Sequence, residues 1–259
     1  MNILDRIVAA TKERVREDKK RAHLSVQEGP PLSNKEYAFE KALRTPEVSL
    51  ICEVKKASPS KGLIAPDFPY VKIAQEYETA GAAALSILTE PDFFLGKDAY
   101  LTEIRSRTHI PLLRKDFIID PFQVEQSHRL GADAILLICS ILDQDTLKEL
   151  FEQADKLGLS CVVEVHDVIE LERALDIGAR IIGVNNRNLK SFTVDTSISL
   201  ALRERTPRDV IFVSESGVKT PADITQLKQH EVDAVLIGET LMRSSNKRSL
   251  ISAFKEAAS

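Results

Sequence analysis

Runs rich in aliphatic and β-branched residues recur from Val48 onward, at 48–54, 83–88, 111–113, 134–139, 161–165, 181–184, 210–213 and 234–237. Each has the length and composition of a strand buried on both faces. Between them apolar positions fall at helical spacing, near 71–80, 98–107, 121–130, 143–157, 168–177, 196–205, 221–230 and 247–257. That spacing predicts amphipathic helices with one core-facing stripe. The joints repeat as well. Ala80-Gly-Ala-Ala, Leu130-Gly-Ala-Asp and Ile177-Gly-Ala-Arg each close a helix and open a strand, and a glycine there ends a helix in the left-handed conformation at little steric cost. Asp143 and Asp167 stand where helix N-caps belong.

Eight strand–helix units, at intervals of roughly 20–35 residues, predict an α/β protein of the (β/α)8 TIM-barrel class. An open doubly wound sheet is the rival, but no Gly-x-Gly-x-x-Gly follows the first strand. Ahead of the barrel a helical stripe (Ile3, Leu4, Ile7, Val8, Val15) is followed by charged turns, a Pro30-Pro31 break and a second helix near 35–43. The expected organisation is one domain over 1–259, with a helical extension at 1–45 capping one barrel end and the barrel at 46–259.

A chain of 259 residues suits one such barrel, and a net charge of −4 argues against a general attraction to nucleic acid or anionic membrane. The N-terminus lacks a secretory pattern, and no segment approaches the ~20 apolar residues of a membrane span. Three cysteines, Cys52, Cys139 and Cys161, sit in apolar runs and read as reduced core thiols, which predicts a cytoplasmic location. The expected assembly is a monomer or a weak homo-oligomer.

In a TIM barrel the chemistry sits at the C-terminal ends of the strands. Strand one ends in Glu53 and Lys55, whose two-residue spacing puts them on one face, and strand three in Arg114-Lys115-Asp116. Strand five carries Glu164, strand six ends in Asn185-Asn-Arg187, and strand seven in Ser214-Glu215-Ser216-Gly217. Five strands delivering polar groups to one end make either an active site or a salt-bridge network plugging the barrel mouth. Gly217 and Gly238-Glu239 follow strands seven and eight, where backbone N–H groups of this fold commonly hold a phosphate. Phe93 and Phe94 after strand two either pack in the core or wall an aromatic substrate. The five histidines show no metal-ligand spacing, and no Gly-x-Ser-x-Gly elbow is present, so neither a metal nor a serine nucleophile is expected.

Glu53-Val-Lys55 with Ser58-Pro-Ser60, Leu88-Thr-Glu-Pro-Asp-Phe-Phe-Leu-Gly96 and Arg114-Lys-Asp-Phe117 resemble the indole-3-glycerol-phosphate synthase family. Gly183-Val-Asn-Asn-Arg-Asn-Leu189, Val213-Ser-Glu-Ser-Gly217 and Leu236-Ile-Gly-Glu-Thr-Leu-Met-Arg243 continue the likeness over essentially the whole chain. The resemblance implies a step of tryptophan biosynthesis without cofactor or metal. In it, 1-(2-carboxyphenylamino)-1-deoxyribulose 5-phosphate is cyclised, decarboxylated and dehydrated. It implies Lys115 as the acid, its pKa brought toward neutrality if burial dominates, with Lys55 at the substrate carboxylate and Glu53 holding Lys55. Glu164 would act in the later proton transfers with Asn185 orienting, and Glu215 and Ser216 would contact the anilino-sugar portion. Leu236 and the two phenylalanines are carried over as substrate contacts. The phosphate would rest on backbone N–H groups at Gly217, Gly238 and Glu239, with Ser58 and Arg187 nearby. Glu239 departs from the family's usual serine, so its side chain is expected to turn away from the phosphate.

Three rivals remain at this stage. Phosphoribosylanthranilate isomerase shares the barrel and phosphate loops but calls for a cysteine/aspartate pair. A Schiff-base aldolase would use Lys55 or Lys115 as nucleophile. A silent phosphosugar-binding barrel would keep the phosphate loops without the acids. The chain stops soon after the eighth unit, which predicts a monofunctional enzyme.

Overall fold

The computed structural model describes residues 2–24, 37–188 and 192–259. The Pro30-Pro31 break, the first residues of the expected second helix (Lys35 and Glu36) and Leu189 lie outside the described residues. Eight parallel strands close into a barrel in chain order: β1 (Ser49–Val54), β2 (Ala84–Leu88), β3 (Leu112–Lys115), β4 (Ala134–Ile138), β5 (Ser160–Val165), β6 (Ile181–Asn185), β7 (Ile211–Glu215) and β8 (Ala234–Ile237). Closure is made by β8 against β1, with Ser49 opposite Ala234 and Cys52 opposite Ile237. The (β/α)8 expectation is met.

Two helices precede the barrel, α1 (Ile3–Leu24) and α2 (Ala38–Leu43). Around it run α3 (Tyr70–Thr79), α4 (Asp98–Arg105), α5 (Pro121–Arg129), α6 (Gln144–Lys156), α7 (Val168–Asp176), α8 (Ser197–Arg203), α9 (Pro221–Gln229), the short α10 (Glu239–Arg243) and α11 (Lys247–Ala258). The local rules hold at the joints. Gly81, Gly131 and Gly178 have φ of 93°, 86° and 78°. The Asp143 side chain accepts from the Thr146 N–H at 2.8 Å and that of Asp167 from the Glu170 N–H at 2.9 Å.

Three strands run past their apolar stretches. β3, β6 and β7 extend to Lys115, Asn185 and Glu215, so the polar residues expected just after the strands are their last members. Ladder hydrogen bonds use backbone only, and a polar side chain pointing into the barrel mouth does not interrupt them. A small antiparallel pair, Ala57–Ser58 with Gly62–Leu63, follows β1 and was not anticipated from its loop-like composition.

Strand alternation divides the interior. Ile51, Ala84, Leu113, Leu136, Val162 and Val213 fill the barrel, while Cys52, Leu85, Leu112, Ile135 and Phe212 face outward against the helices. Arg114 belongs to the outward set. Expected among the residues converging on the mouth, it is instead buried between strand and helices, donating to Thr89 Oγ1 (3.1 Å), Ser127 Oγ (3.1 Å) and Asp98 (2.9 Å). All three cysteines are buried in the outer layer.

The N-terminal extension caps both ends of the barrel, not one. α1 lies over the C-terminal mouth, where Arg14 pairs with Asp116 at 2.7 Å and Lys19 with Asp120 at 2.8 Å. α2 seals the opposite end. Its Phe39 and Leu43 are fully buried against the N-terminal ends of the strands, and the Tyr37 N–H donates to the Gly158 carbonyl at 3.2 Å. Arg180 reaches back to Glu40 at 2.9 Å and stacks on the Tyr37 ring, its centre 4.4 Å away. Truncating Phe39 to alanine should cost about 3–5 kcal/mol of stability through lost burial and the cavity left behind. Because α2 sits at the end away from the mouth, KM should not change. Urea unfolding read beside steady-state kinetics checks both halves.

Candidate active site

The two-residue spacing of Glu53 and Lys55 carries both into the mouth, where the Lys55 ammonium donates to Glu53 Oε1. Lys115, from β3, reaches across the barrel to Glu215 on β7 at 2.5 Å, and its ammonium is 3.8 Å from the other oxygen of Glu53. Glu164 stands on β5, its carboxylate 3.4 Å from His166. The carboxylates of Glu53, Glu164 and Glu215 are almost fully buried, whereas the lysines keep about 15% of their side chains open toward the cavity. The arrangement is therefore buried acceptors below and ammonium tips above.

Burial alone would weaken the Lys115 proton. Glu215, then Glu53 and Glu164, outweigh that cost and hold its pKa above the ordinary lysine value. The condition set for a lysine drawn toward neutrality, that burial dominate, is therefore not met, because the surrounding carboxylates together outweigh desolvation. For Glu53 burial also opposes the charged form, but Lys55 and Lys115 overcome it and keep its pKa below the ordinary carboxylate value. Glu53 thereby joins Lys55 and Lys115 in one network.

Two glycines make room for this network. A Cβ on Gly238 would collide with Glu53 Oε1 and lie 2.9 Å from the Lys55 nitrogen. A Cβ on Gly183 would collide with Glu215 Oε1 and lie 2.9 Å from Val162. Sequence reasoning gave Gly238 the task of bringing backbone to an anion. The geometry adds a second task, leaving space for the Glu53–Lys55 pair. Nothing in the linear sequence pairs Gly183 with Glu215, which lies opposite Asn185, two positions further along β6.

The cavity above the network has a volume of about 480 Å³. Phe94, Phe117, Leu136 and Ile138 form an apolar wall, and Ile3 and Ile7 of α1 close over it. Lys55, Lys115, Glu164 and Asn185 present the polar surface. The cavity lining also includes Ser58, Ser216, Gly217, Gly238, Arg187 and Glu239, together with cationic Lys61, Lys219 and Arg243. Leu236 also borders the space. Two expected site residues do not border it. Glu215 lies beneath Lys115, and Phe93 turns outside, under the Arg6 guanidinium at 5.6 Å. Glu239 is held by Arg243 at 3.0 Å and Lys61 at 3.6 Å, which neutralise its charge in place.

Supporting residues that the sequence reading missed hold the loops. Glu90, fully buried, accepts N–H groups of Asp92 (3.1 Å), Phe93 (2.8 Å) and Phe94 (3.0 Å) and so fixes the aromatic wall. Asn186, also buried, donates to Ser214 Oγ and to the carbonyls of Glu215 and Ser216, each at 3.0 Å, tying β6 to β7. Asn185 Oδ1 accepts from the Ser216 hydroxyl at 3.0 Å and the Arg187 N–H at 3.1 Å. The signal for Asn186 was available in strand alternation, which turns it opposite to Asn185. For Glu90 there was none, since a Thr-Glu-Pro-Asp turn reads as surface.

Comparison with known proteins places this constellation. Solved barrels are similar in fold: a 3-hexulose-6-phosphate synthase structure superposes with a TM-score of 0.67 over 82% of this chain and all of that one, at 13% identity. At that identity the likeness concerns architecture alone. Sequence goes further. The protein from Ruminiclostridium cellulolyticum called indole-3-glycerol phosphate synthase is 56% identical over 247 residues, 94% of this chain and 95% of that one. The protein of the same name from Lachnoclostridium phytofermentans is 48% identical over 267 residues, 98% of each chain. The family's own sequence profile, Indole-3-glycerol phosphate synthase, matches residues 4–254, so from the cap helix α1 to the last helix the chain belongs to the indole-3-glycerol phosphate synthase family.

Proposed function

We propose that the cavity converts 1-(2-carboxyphenylamino)-1-deoxyribulose 5-phosphate to indole-3-glycerol phosphate, with Lys115 as acid and Glu164 as base. The family's activity is this decarboxylating lyase step of tryptophan biosynthesis. The observation that carries the assignment of roles is the pair of lysines, each lodged on a buried carboxylate, opening with Glu164 onto one apolar-walled cavity.

The anilino ring fits against Phe94, Phe117 and Leu136, and the phosphate toward Gly217 and Gly238, where Lys61, Lys219 and Arg243 supply positive charge. The ring carbon bearing the carboxylate attacks the ribulose carbonyl carbon, and the carbonyl oxygen takes a proton from Lys115. The firmly held lysine proton still moves, because the developing alkoxide is more basic than an amine. Loss of CO2 returns its bonding pair to the ring. The new hydroxyl then leaves as water, pushed by the ring nitrogen and protonated by a lysine, and Glu164 removes the remaining C–H proton to complete the indole. Lys55 is placed to hold the substrate carboxylate, and Glu53 to hold Lys55.

The rivals fit less well. A Schiff-base aldolase needs a neutral lysine amine, and the carboxylates around Lys115 favour the charged form. The isomerase chemistry needs a cysteine at the mouth, whereas Cys52, Cys139 and Cys161 face the helices. A binding barrel would have no use for the acids. Among the described residues no helix is long and apolar enough to cross a membrane, and buried, unbridged thiols suit a reducing compartment such as the cytoplasm.

Lys115→Met removes the proton donor with little change of volume, so kcat should fall by about 10²–10⁴-fold while KM stays near the parent value. Glu164→Gln should abolish turnover to a similar degree without lowering the melting temperature. Product fluorescence from the aminodeoxyribulose phosphate reads both, and near-parent kcat in either variant would remove that residue from the mechanism.

The glycine geometry gives a second test. Gly238→Val would displace the Glu53–Lys55 pair as well as crowd the phosphate end, so kcat should drop along with a rise in KM. Glu239→Ser removes a carboxylate near the phosphate and should leave KM equal or lower. Inorganic phosphate inhibition should weaken in Gly238→Val only. If Glu239→Ser weakens binding more than Gly238→Val does, the phosphate is held elsewhere.

A further inference from the structure

His166 follows β5 two residues after Glu164 and does not border the cavity. Its surroundings nonetheless fix its ring with respect to Glu164. Glu170, in the first turn of α7, accepts the His166 backbone N–H at 2.9 Å and contacts ring Nδ1 at 3.0 Å through the same carboxylate oxygen. That double attachment points Nε2 toward Glu164 Oε1, 3.4 Å away. Nε2 is buried and has no hydrogen-bond partner among the described residues. A buried donor left unmet is costly, so its persistence next to a carboxylate calls for an explanation.

We propose that His166 is a positioning residue for Glu164: Glu170 fixes the imidazole, and its Nε2–H closes onto the Glu164 carboxylate to hold it aimed at the substrate. The inference rests on Glu164 as the base. The charged groups around the ring are Glu164 on β5, Glu170 on α7 and Glu215 on β7, all carboxylates. Burial lowers the imidazole's affinity for a proton. The Glu170 hydrogen bond and the three negative charges more than reverse that, and the pKa rises to about 9. At neutral pH the ring is a cation, and a cation beside a carboxylate lowers that carboxylate's pKa. Removing His166 takes a positive charge away from the Glu164 carboxylate, so the acid limb of kcat should lie at higher pH than in the parent.

The test compares His166→Leu and His166→Gln in the full-length enzyme, with kcat and KM measured by product fluorescence across pH. Leucine removes donor and charge, while the glutamine amide keeps a neutral donor within reach of Glu164. For His166→Leu, kcat should fall about 10-fold or more with KM near the parent value, and the acid limb should move up by about one pH unit. His166→Gln should recover much of the high-pH kcat while keeping the displaced limb, and it carries the test if the leucine variant does not fold. Parent-like kcat and acid limb in the folded variants would overturn the inference, as would a change confined to melting temperature. Glu164→Gln, run alongside, separates the two readings. If it is inactive while both His166 variants keep the parent limb, only the His166 assignment fails. If it retains turnover, the base assignment fails first.

Discussion

The site depends on charge balance inside a barrel. An ion taken out of water costs several kcal/mol unless another charge meets it in good geometry. Here the buried carboxylates of Glu53 and Glu215 are met by Lys55 and Lys115, while Glu164 has the His166 ring 3.4 Å away. The separate strands therefore act as one unit, because Lys115 of β3 answers carboxylates on two others, Glu53 of β1 and Glu215 of β7. The same balance makes chemistry possible. The lysine tips reach the cavity because the carboxylates beneath them hold those tips in place.

Much of the architecture was written in hydrophobic spacing. The eight strands, the glycine-ended helices and the aspartate caps at Asp143 and Asp167 followed from local rules that the tertiary structure does not override. The ends of β3, β6 and β7 were less legible, since apolar content marks where a strand is buried and not where its backbone pairing stops. Arg114 shows the limit of reading charge as function. It sits between Leu113 and Lys115, and only the alternation of the strand, applied strictly, separates the inward lysine from the outward arginine. The site residues that carry charge into the mouth were visible, whereas those that act through space were not. Asn186 and Gly183 work through neighbours distant in sequence, of which a linear pattern holds no record, and Glu90 works through a turn whose composition reads as surface.

The two N-terminal helices solve opposite problems at opposite ends. A barrel interior must be filled where no chemistry occurs, and Phe39 and Leu43 fill it. At the other end the interior must stay open to substrate yet dry, and α1 lays Ile3 and Ile7 across the opening while its Arg14 pairs with Asp116, the residue after Lys115. The cover and the acid thus share one stretch of backbone.

Gly183 ties the histories of two strands together. The carboxylate of Glu215 occupies the space that a side chain on Gly183 would need, so the two positions form one volume shared between β6 and β7. Neither strand can accept change there alone. A larger residue at 183 becomes tolerable only after the carboxylate is shortened or removed, and shortening it abandons Lys115. Lineages that keep the lysine must therefore keep the glycine, which would look as constrained as an acid or base in any survey of tolerated substitutions while touching no substrate.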